Sequence, residues 1–362
     1  MRPTWAEIDL NSLKFNFNQV KRIVGSNVCV LSVVKADAYG HGSIAVSRAL
    51  VEAGTDMLGV ATVEEAIELR ESGIKVPIVL LGGVQPEEAE LVVRYALTPS
   101  IFSLSSAEAI NRYAYRVGKK VRFHLKVDTG MNRLGLSVDE VCCFLNCLTS
   151  LRNLELEGVF THFASADSNS RDFTLKQISS FKLVIYTLKK AGLSPRYMHM
   201  ANSAGIQRFP ESHMNLVRPG IMLYGSGKLG QWELKPVMKL KTRVVQLKSL
   251  PVGSPVSYGG TFVTKRPTLI ATLPIGYGDG YMRRLSNRAF VSIKGFRVPV
   301  IGSVCMDMTI VDVTDVPDVR VGDEVVLFGD DGIKVEDIAM WADTISYEIL
   351  SIIGKRIPRI YV

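Results

Sequence analysis

The chain has 362 residues, which is long enough for two domains or for one large barrel with an extension. It carries 43 Lys and Arg residues against 35 Asp and Glu residues, but this excess of +8 is spread along the chain and forms no basic helix or aromatic-interleaved stripe. The charge pattern therefore argues against nucleic-acid binding and is compatible with small anionic ligands.

The cysteine residues and the apolar runs narrow the class of protein further. The five cysteines are scattered and form no Cys-x-x-Cys pair or Cys/His cluster. This pattern predicts reduced thiols and no metal site. The N-terminus lacks the apolar core of a signal peptide, and no apolar run approaches the ~18 residues of a membrane span. We expect a cytoplasmic protein that binds neither nucleic acid nor membranes.

Up to about residue 225, short apolar runs alternate with amphipathic stretches. We predict strands over 28–34, 57–61, 77–81, 97–102, 121–127, 154–160, 196–201 and 214–218. Helices are predicted over 43–53, 63–72, 86–95, 106–117, 138–148 and 171–191, and Ser105 with Glu108 has the spacing of a capping box. Eight βα units in order favour a (β/α)8 barrel over a doubly wound sheet, which would not usually supply so many.

After about residue 230 the pattern changes to short runs punctuated by Gly and Pro. These runs are 237–250, 269–273, 289–293, 298–301, 309–313 and 324–328, and no long helical period follows until 335–352. The predicted fold class is α/β, an N-terminal (β/α)8 TIM-type barrel followed by a C-terminal mainly-β domain. We place the barrel domain at 1–230, with its first few residues as candidates to pair with the second domain, and the β-rich domain at 231–362.

Polar side chains follow the ends of the predicted barrel strands. They are Lys35 and Tyr39 after the first strand, Lys126 and Arg133 after the fifth, His162 after the sixth, His199, Asn202 and Ser203 after the seventh, and Arg218 after the eighth. The carboxyl ends of barrel strands meet at one face, where barrel enzymes keep their active sites. A single residue of this kind is more often structural, but their convergence predicts a site.

The kind of ligand is suggested by Lys35 and by the loops after the last two strands. Burial at a strand end lowers the pKa of a lysine, and a neutral amine can bond covalently to an aldehyde cofactor. Ser203 offers a hydroxyl, while Gly220 and Ile221 offer backbone N–H groups. With the phenol of Tyr39, this set suits a phosphate monoester such as pyridoxal phosphate. The alternatives are a strand-end lysine, a helix-capping serine and a simple glycine turn.

The run Val-Val-Lys-Ala-Asp-Ala-Tyr-Gly-His-Gly at 33–42 resembles the cofactor-attachment segment of the alanine racemases, a barrel-fold family that uses pyridoxal phosphate. The similarity covers essentially the whole chain. It extends in order to 131–135 (Met-Asn-Arg-Leu-Gly), 161–164, 201–204, 217–220, 257–260 (Ser-Tyr-Gly-Gly), 276–280, 305–307 (Cys-Met-Asp) and 347–358. Each block alone is weak evidence, but their number and order predict membership.

The resemblance implies a mechanism with two bases. Lys35 would hold the cofactor and exchange the substrate Cα proton on one face, and Tyr258 would act on the other face across a dimer interface. A tyrosine is a poor base unless cations lower its pKa, and His162 and Arg218 match the residues of that network. Arg218 would donate to the cofactor's pyridine nitrogen, and His199 would orient Arg218.

The resemblance also assigns the residues around the substrate. Arg133 matches a residue that contacts the cofactor's phenolic oxygen and the substrate carboxylate, and Lys126 matches a lysine that is carbamylated in some members. A plain ion-pairing role for Lys126 stays open. The backbone N–H of Met306 would meet the substrate carboxylate. The remaining matches lie behind these groups or along the entry corridor, and they are Asn202, Asp307, Tyr277, Arg283 and Tyr347, the last also reaching the cofactor phosphate.

The chain departs from the family's common pattern at two positions. A basic residue often stands two places before the cysteine of the Cys-Met-Asp block, where this chain has Ser303. This difference leaves the charge of the outer corridor, and thus substrate entry, open. The common glycine after Met131 is Asn132 here, which we expect to change only the loop backbone.

These residues predict an isomerase that interconverts L- and D-alanine on pyridoxal phosphate in a homodimer with shared active sites. The resemblance further implies that the D-alanine supplies peptidoglycan synthesis. The alternatives are a broader racemase acting on serine or basic amino acids, a non-catalytic carrier of the cofactor, and a barrel-type decarboxylase. The carrier would not need Tyr258 or Met306, and the decarboxylase would be expected to have an acidic residue where Arg218 stands.

Overall fold

The first part of the chain folds into a barrel of eight parallel strands, in a computed structural model that describes residues 2–228, 230–329 and 332–362. The chain opens with β1 (Thr4–Ile8), and the barrel strands follow as β2 (Cys29–Val33), β3 (Met57–Val60), β4 (Ile78–Leu80), β5 (Thr98–Ile101), β6 (Val121–Lys126), β7 (Leu154–Phe160), β8 (Tyr197–His199) and β9 (Leu216–Val217). Their order is β8-β7-β6-β5-β4-β3-β2-β9. The ring of strands is nearly closed between β8 and β9. Just beyond these strands, the backbone N–H of Arg218 donates to the Ala201 carbonyl (2.9 Å). The predicted barrel is confirmed.

Helices surround the barrel strands. They are α1 (Leu10–Val24), a short turn α2 (Lys35–Gly40), α3 (Ser43–Glu52), α4 (Val63–Glu71), α5 (Ala89–Arg94), α6 (Leu104–Arg116), α7 (Glu140–Leu148), α8 (Asp172–Lys190) and α9 (Ser203–Arg208). The six predicted helices are present, whereas α1, α2 and α9 were not predicted. None of the helices in the described part of the chain is long and apolar enough to cross a membrane.

The predicted capping box at Ser105 and Glu108 is wrong. Helix α6 begins at Leu104, and the Ser105 hydroxyl shares a hydrogen bond with Ser103 (2.7 Å). A capping box does open α4, where the Thr62 hydroxyl accepts from the Glu65 N–H. A serine or threonine three residues before a glutamate forms a capping box only when the first of them is the N-cap residue of a helix. Thr62 has this position, whereas Ser105 lies inside α6.

The second part of the chain is mainly β, as predicted. Its elements are β10 (Met238–Arg243), β11 (Gln246–Leu250), β12 (Pro255–Val256), β13 (Phe262–Val263), β14 (Thr268–Leu273), β15 (Phe290–Ile293), β16 (Phe296–Pro299), β17 (Thr309–Asp312), β18 (Glu324–Phe328), α10 (Val335–Ala342), α11 (Ser346–Ser351) and β19 (Arg359–Tyr361). A six-stranded sheet has the order β16-β15-β18-β10-β1-β19. The N-terminal strand β1 therefore joins this sheet between two strands that lie more than 200 residues further along the chain.

A continuous core joins the two parts. Every residue of β3 and β4 is buried, as expected for parallel strands covered on both faces. Buried residues of the second part, such as Ile349 and Leu350 of α11, belong to the same cluster. Helix α11 lies against α2: a Cβ added at Gly40 would come within 2.2 Å of the Leu350 carbonyl oxygen. This contact fixes the second part against the turn that carries Lys35.

The predicted long helical stretch over 335–352 is divided in two. Asp343 adopts a left-handed conformation (φ 56°) directly after α10, and α11 begins three residues later. Short 3-10 turns elsewhere carry several of the predicted site residues. These turns are Ile221–Tyr224, Tyr258–Gly260, Tyr277–Asp279 and Arg283–Leu285.

Candidate active site

Lys35 stands at the carboxyl end of β2, where the backbone makes an unusual turn. The four residues from Ala36 to Tyr39 have φ values of 52–53° and form one turn of left-handed helix. Each L-residue in this conformation costs roughly 1–2 kcal/mol, so the turn persists only because its surroundings hold it. It places the Lys35 amine and the Tyr39 ring on the face of the barrel that the sequence predicted.

Side chains from three directions hold this turn. Glu65 accepts from the Ala36 N–H (2.6 Å) and, with its other oxygen, from the Ala61 N–H (2.7 Å). Asp37 accepts from the Ser43 N–H (2.7 Å) at the start of α3. From the end of the chain, Arg359 donates to the Gly40 carbonyl (3.0 Å). Glu65 was not predicted as a site residue, and its capping-box spacing after Thr62 is the sequence signal that could have identified it.

The predicted phosphate cradle is assembled as a group. The Ser203 hydroxyl accepts from the Gly220 N–H (2.9 Å), which brings the loops after β8 and β9 together. A Cβ at Gly220 would lie 2.6 Å from the Tyr39 hydroxyl oxygen, so only glycine allows that hydroxyl to reach this loop. Ile221 opens the buried turn that follows, and the Tyr347 ring lies 6.1 Å from the Tyr39 ring, between centroids.

Arg218 is the centre of the polar network in the barrel. The guanidinium is buried and donates to His199 Nδ1 (2.7 Å), the Thr161 carbonyl (2.6 Å) and the Met200 carbonyl (3.2 Å), with His162 Nδ1 at 3.3 Å. Burial lowers the pKa of Arg218 to about 9, so it stays protonated at neutral pH. Burial and the Arg218 charge together hold the pKa of His162 well below its usual value, which keeps that imidazole neutral.

A chain of hydrogen bonds extends from Arg218 across the barrel interior. Because a guanidinium only donates, His199 Nδ1 must accept, and its Nε2–H then donates to His124 Nδ1 (2.9 Å). The remaining His124 Nε2–H faces the Glu157 carboxylate at 3.7 Å. The interaction with His124 lowers the pKa of Glu157 and keeps it ionised. His199 therefore orients Arg218 in one defined tautomer, and the predicted site residues included neither His124 nor Glu157.

Lys126 and Arg133 add positive charge on the same face. Lys126 is 5% exposed, and burial, followed by the charges of Arg218 and Arg133, lowers its pKa to about 7. Burial and the Arg133 charge likewise lower the pKa of Lys35. Asp128 organises the loop that carries Arg133 by accepting from the Gly130, Met131 and Arg133 N–H groups.

The backbone conformation of Asn132 explains why asparagine can stand where the family commonly has glycine. Its φ is 55°, in the left-handed region where glycine is favoured and asparagine is the best tolerated alternative. Asn132 therefore adopts a conformation that a glycine at this position would also adopt readily.

Of the predicted site residues of the second domain, Tyr347 lies beside Tyr39, and several others are exposed. The Tyr258 side chain is 72% exposed and that of Met306 is 53% exposed, and Tyr277 and Arg283 are exposed as well. In the described part of the chain, no hydrogen bond or ion pair joins Tyr258 or Met306 to Lys35.

Asn202, a predicted site residue of the barrel, caps α9: its side-chain oxygen accepts from the Gly205 N–H (2.9 Å).

A buried carboxylate organises the loops that carry Tyr277 and Met306. The Asp279 side chain is fully buried. Its carboxylate accepts hydrogen bonds from both terminal nitrogens of the Arg2 guanidinium (2.8 Å each) and from Arg356 Nε (2.9 Å). Arg356 also donates to Asp307 (2.8 Å). The Tyr277 N–H donates to the Cys305 carbonyl (3.0 Å), which joins the two loops directly. Among these residues, only Tyr277, Met306 and Asp307 were predicted as site residues.

The charge of the barrel face indicates its ligand. The charge of Arg133 contributes to lowering the pKa of both Lys35 and Lys126, and the charge of Arg218 contributes to lowering that of Lys126, while the carboxylates of Glu65 and Asp128 accept hydrogen bonds from backbone N–H groups. Such an excess of cations fits an anionic ligand. The Tyr39, Ser203 and Gly220 cradle fits a phosphate group, and an amine with a lowered pKa fits an aldehyde.

The barrel, the attached β domain and a cation-rich face at the carboxyl ends of the strands are the arrangement of a barrel-fold enzyme. The chain belongs to the alanine racemase family: models of that family's N-terminal and C-terminal domains match residues 8–228 and 237–361. The family membership predicted from the sequence is confirmed.

Individual relatives match over almost their full length. An alanine racemase of Halothermothrix orenii is 52% identical over 369 residues, covering 99% of this chain and 97% of that protein. The structure of the Clostridium difficile 630 alanine racemase has a TM-score of 0.95 at 39% identity and covers 100% of this chain and 96% of its own. The structure of the Bartonella henselae alanine racemase, with covalently bound pyridoxal phosphate, has a TM-score of 0.91 at 34% identity and covers 100% of both chains.

Proposed function

We propose that this protein interconverts L- and D-alanine with pyridoxal phosphate as its cofactor, by proton exchange between Lys35 on one face of the substrate and Tyr258 of a second subunit on the other. The observation that carries the proposal is that a Lys35 amine of lowered pKa and the buried Arg218 guanidinium both follow the carboxyl ends of the neighbouring barrel strands β2 and β9. The family membership supports alanine as the substrate.

Different residues would bind different parts of the cofactor. Lys35 would bond to its aldehyde, and Tyr39, Ser203, Gly220, Ile221 and Tyr347 would hold its phosphate. When bound, pyridoxal phosphate supplies an electron-withdrawing ring that stabilises negative charge at the substrate Cα. Arg133 would bind the phenolic oxygen and the substrate carboxylate, for which a planar guanidinium is well suited.

Arg218 would restrict the reaction to proton exchange. A carboxylate beside the pyridine nitrogen favours its protonation, whereas a guanidinium has no acceptor and stays charged. A hydrogen bond donated by Arg218 would therefore leave the pyridine nitrogen unprotonated and weaken the electron withdrawal by the ring. His199, whose Nδ1 accepts from Arg218, holds the guanidinium in one orientation. A shorter-lived negative charge at Cα favours return of the proton over side reactions.

Lys35 and Tyr258 would move the Cα proton. Burial and Arg133 lower the pKa of Lys35, so a larger share of its amine is neutral and able to accept a proton. Tyr258 would come from a partner subunit, together with the Met306 N–H that binds the substrate carboxylate. The exposure of both side chains supports a head-to-tail homodimer. We further propose a cytoplasmic protein divided near residue 230, whose D-alanine supplies peptidoglycan synthesis.

Covalent attachment can be tested without measuring activity. The protein loaded with pyridoxal phosphate is reduced with borohydride and digested, and mass spectrometry locates the cofactor on a peptide. The label is expected on the peptide containing Lys35 and absent from Lys35→Ala, while Lys120→Met, an exposed lysine before β6, keeps it. Labelling of another lysine in the parent protein would contradict the assignment.

Racemisation of alanine, serine and lysine by the same preparation tests the substrate. Alanine is expected to react fastest, and a clear preference for lysine would exclude the proposal. Tyr258→Phe should retain the covalent cofactor but lose exchange of the α-proton of L-alanine. Parent-rate racemisation by Tyr258→Phe would show that Tyr258 is not the second base.

A further inference from the structure

Ser303 and the turn that carries Tyr258 are joined by a reciprocal pair of hydrogen bonds. The Ser303 hydroxyl donates to the Tyr258 carbonyl oxygen (2.9 Å), and the Ser257 hydroxyl donates to the Ser303 carbonyl oxygen (2.6 Å). Ser303 is 6% exposed, so the first hydrogen bond is shielded from competing water. The side chain thus turns inward to the backbone of the Tyr258 turn and not outward to the solvent.

The Tyr258 turn needs such support because its own conformation is unfavourable. Ser257 has a φ of 62°, which is unfavourable for a residue with a side chain, whereas Gly259 and Gly260 adopt their φ values of 73° and 56° without this cost. The Tyr258 side chain is largely exposed, so packing within the subunit does little to fix its position. The backbone on either side of the Tyr258 Cα must therefore set the direction in which the phenol points.

The segment around Ser303 is itself firmly attached. The Gly302 N–H donates to the Asn287 side-chain oxygen (2.6 Å), and the Val304 N–H donates to the Ser286 hydroxyl (2.9 Å). Ser303 lies between these two anchored residues and can transmit their rigidity to the Tyr258 carbonyl.

We propose that Ser303 is a positioning residue that sets the orientation of Tyr258 as the second base; the inference rests on the proposed role of Tyr258. It also answers the question that the sequence left open at this position. Ser303 replaces a residue expected to carry charge into the entry corridor, but its hydroxyl is buried against Tyr258. Its effect is therefore on proton transfer and not on substrate entry.

Three variants test this proposal. Ser303→Ala removes the hydroxyl, Ser303→Thr keeps it, and Ser106→Ala is the matched control, because Ser106 is also 6% exposed and also donates to a backbone carbonyl, that of Val84 (2.7 Å). Ser303→Ala is expected to lower kcat about fivefold to tenfold and to change KM less than about twofold. Ser303→Thr should recover most of the rate, and Ser106→Ala should leave it unchanged.

Two further measurements separate positioning from general loss of structure. With α-deuterated substrates, Ser303→Ala should raise the kinetic isotope effect for L-alanine, whose proton Tyr258 removes, and not for D-alanine. In the cofactor-free protein, backbone hydrogen exchange should accelerate in the peptide covering 257–261 and remain at the parent rate in the peptides around Lys35.

The outcomes distinguish this inference from the proposed function. Parent-like isotope effects and hydrogen exchange in Ser303→Ala would overturn the role of Ser303 alone. An equal rise in the isotope effects of both isomers, or a similar loss of rate in Ser106→Ala, would also overturn it, since either would indicate a general structural effect. Absence of racemisation by the parent protein would overturn the proposed function and the inference with it.

Discussion

The buried lysine at the end of β6 offers a quantitative test of the electrostatics of the site. Burial and the neighbouring guanidinium groups lower the pKa of Lys126 from 10.5 to about 7. Since one pKa unit corresponds to ~1.4 kcal/mol, enclosing this amine costs the folded protein about 4 kcal/mol at pH 7. Lys126→Met keeps most of the side-chain length and removes that cost.

The pH dependence follows from proton binding. Between pH 7 and pH 10.5 the unfolded chain binds more protons at Lys126 than the folded chain, so the stability of the parent protein rises across this interval. The substitution also removes the ammonium that lies 4.4 Å from the Phe160 ring centroid, a contact worth about 1 kcal/mol. We therefore expect Lys126→Met to exceed the parent by about 3 kcal/mol at pH 7, with the advantage lost near pH 10.5.

Urea denaturation at the two pH values measures this difference, in buffer freed of carbon dioxide so that the amine remains unmodified. Lys120→Met, an exposed lysine on the approach to the same strand, is the control and should change the free energy of unfolding by less than about 0.5 kcal/mol. A Lys126→Met protein less stable than the parent at pH 7, or one whose advantage is the same at both pH values, would refute the reasoning.

Three further predictions concern Lys126, the buried carboxylate of Asp279 and the close contact at Gly40. Labelled bicarbonate should give a carbamate signal in carbon NMR from the parent but not from Lys126→Met, because an amine with a pKa of about 7 is largely neutral at slightly alkaline pH. Asp279→Asn should lower the free energy of unfolding by about 2–3 kcal/mol, since two arginines lose a buried partner but remain partly exposed. Gly40→Ala should cost more than about 3 kcal/mol, because its Cβ would meet the Leu350 carbonyl.

Matched controls make these results decisive. Asp315→Asn breaks an exposed pair with Arg266 and should change stability by less than about 1 kcal/mol, so equal losses in the two aspartate variants would contradict the importance of burial. Gly73→Ala has a similar left-handed φ but open space around its Cβ and should cost only ~1 kcal/mol. A carbamate signal that survives in Lys126→Met would place the modification elsewhere.

The barrel was predictable because its strands are buried on both faces. Such strands appear as short apolar runs, and β3 and β4 are fully buried in the structure. The strands β1 and β19 were not among the predicted strands. The first few residues were candidates to pair with the second domain, but no local pattern identifies which strand they meet, and β1 pairs with β19 more than 300 residues away.

The site was partly predictable for a related reason. Lys35, His162 and Arg218 stand directly after apolar strands, and barrel geometry brings such positions to one face. His124 and Glu157 lie within β6 and β7 and not at the strand ends. In the sequence, nothing distinguishes them from the other residues of these strands. Their connection to Arg218 depends on which strands are neighbours, and that was visible only in the barrel.

The sequence by itself determined the order of strands and helices, the face on which polar groups gather and the family. These features depend on local hydrophobic periodicity and on motifs read along the chain. Only the tertiary structure decided the left-handed turn after Lys35, the tautomer of His199 and the inward direction of Ser303. Each of these results from contacts between distant segments, whose combined strength holds a local conformation that the residues alone would not adopt.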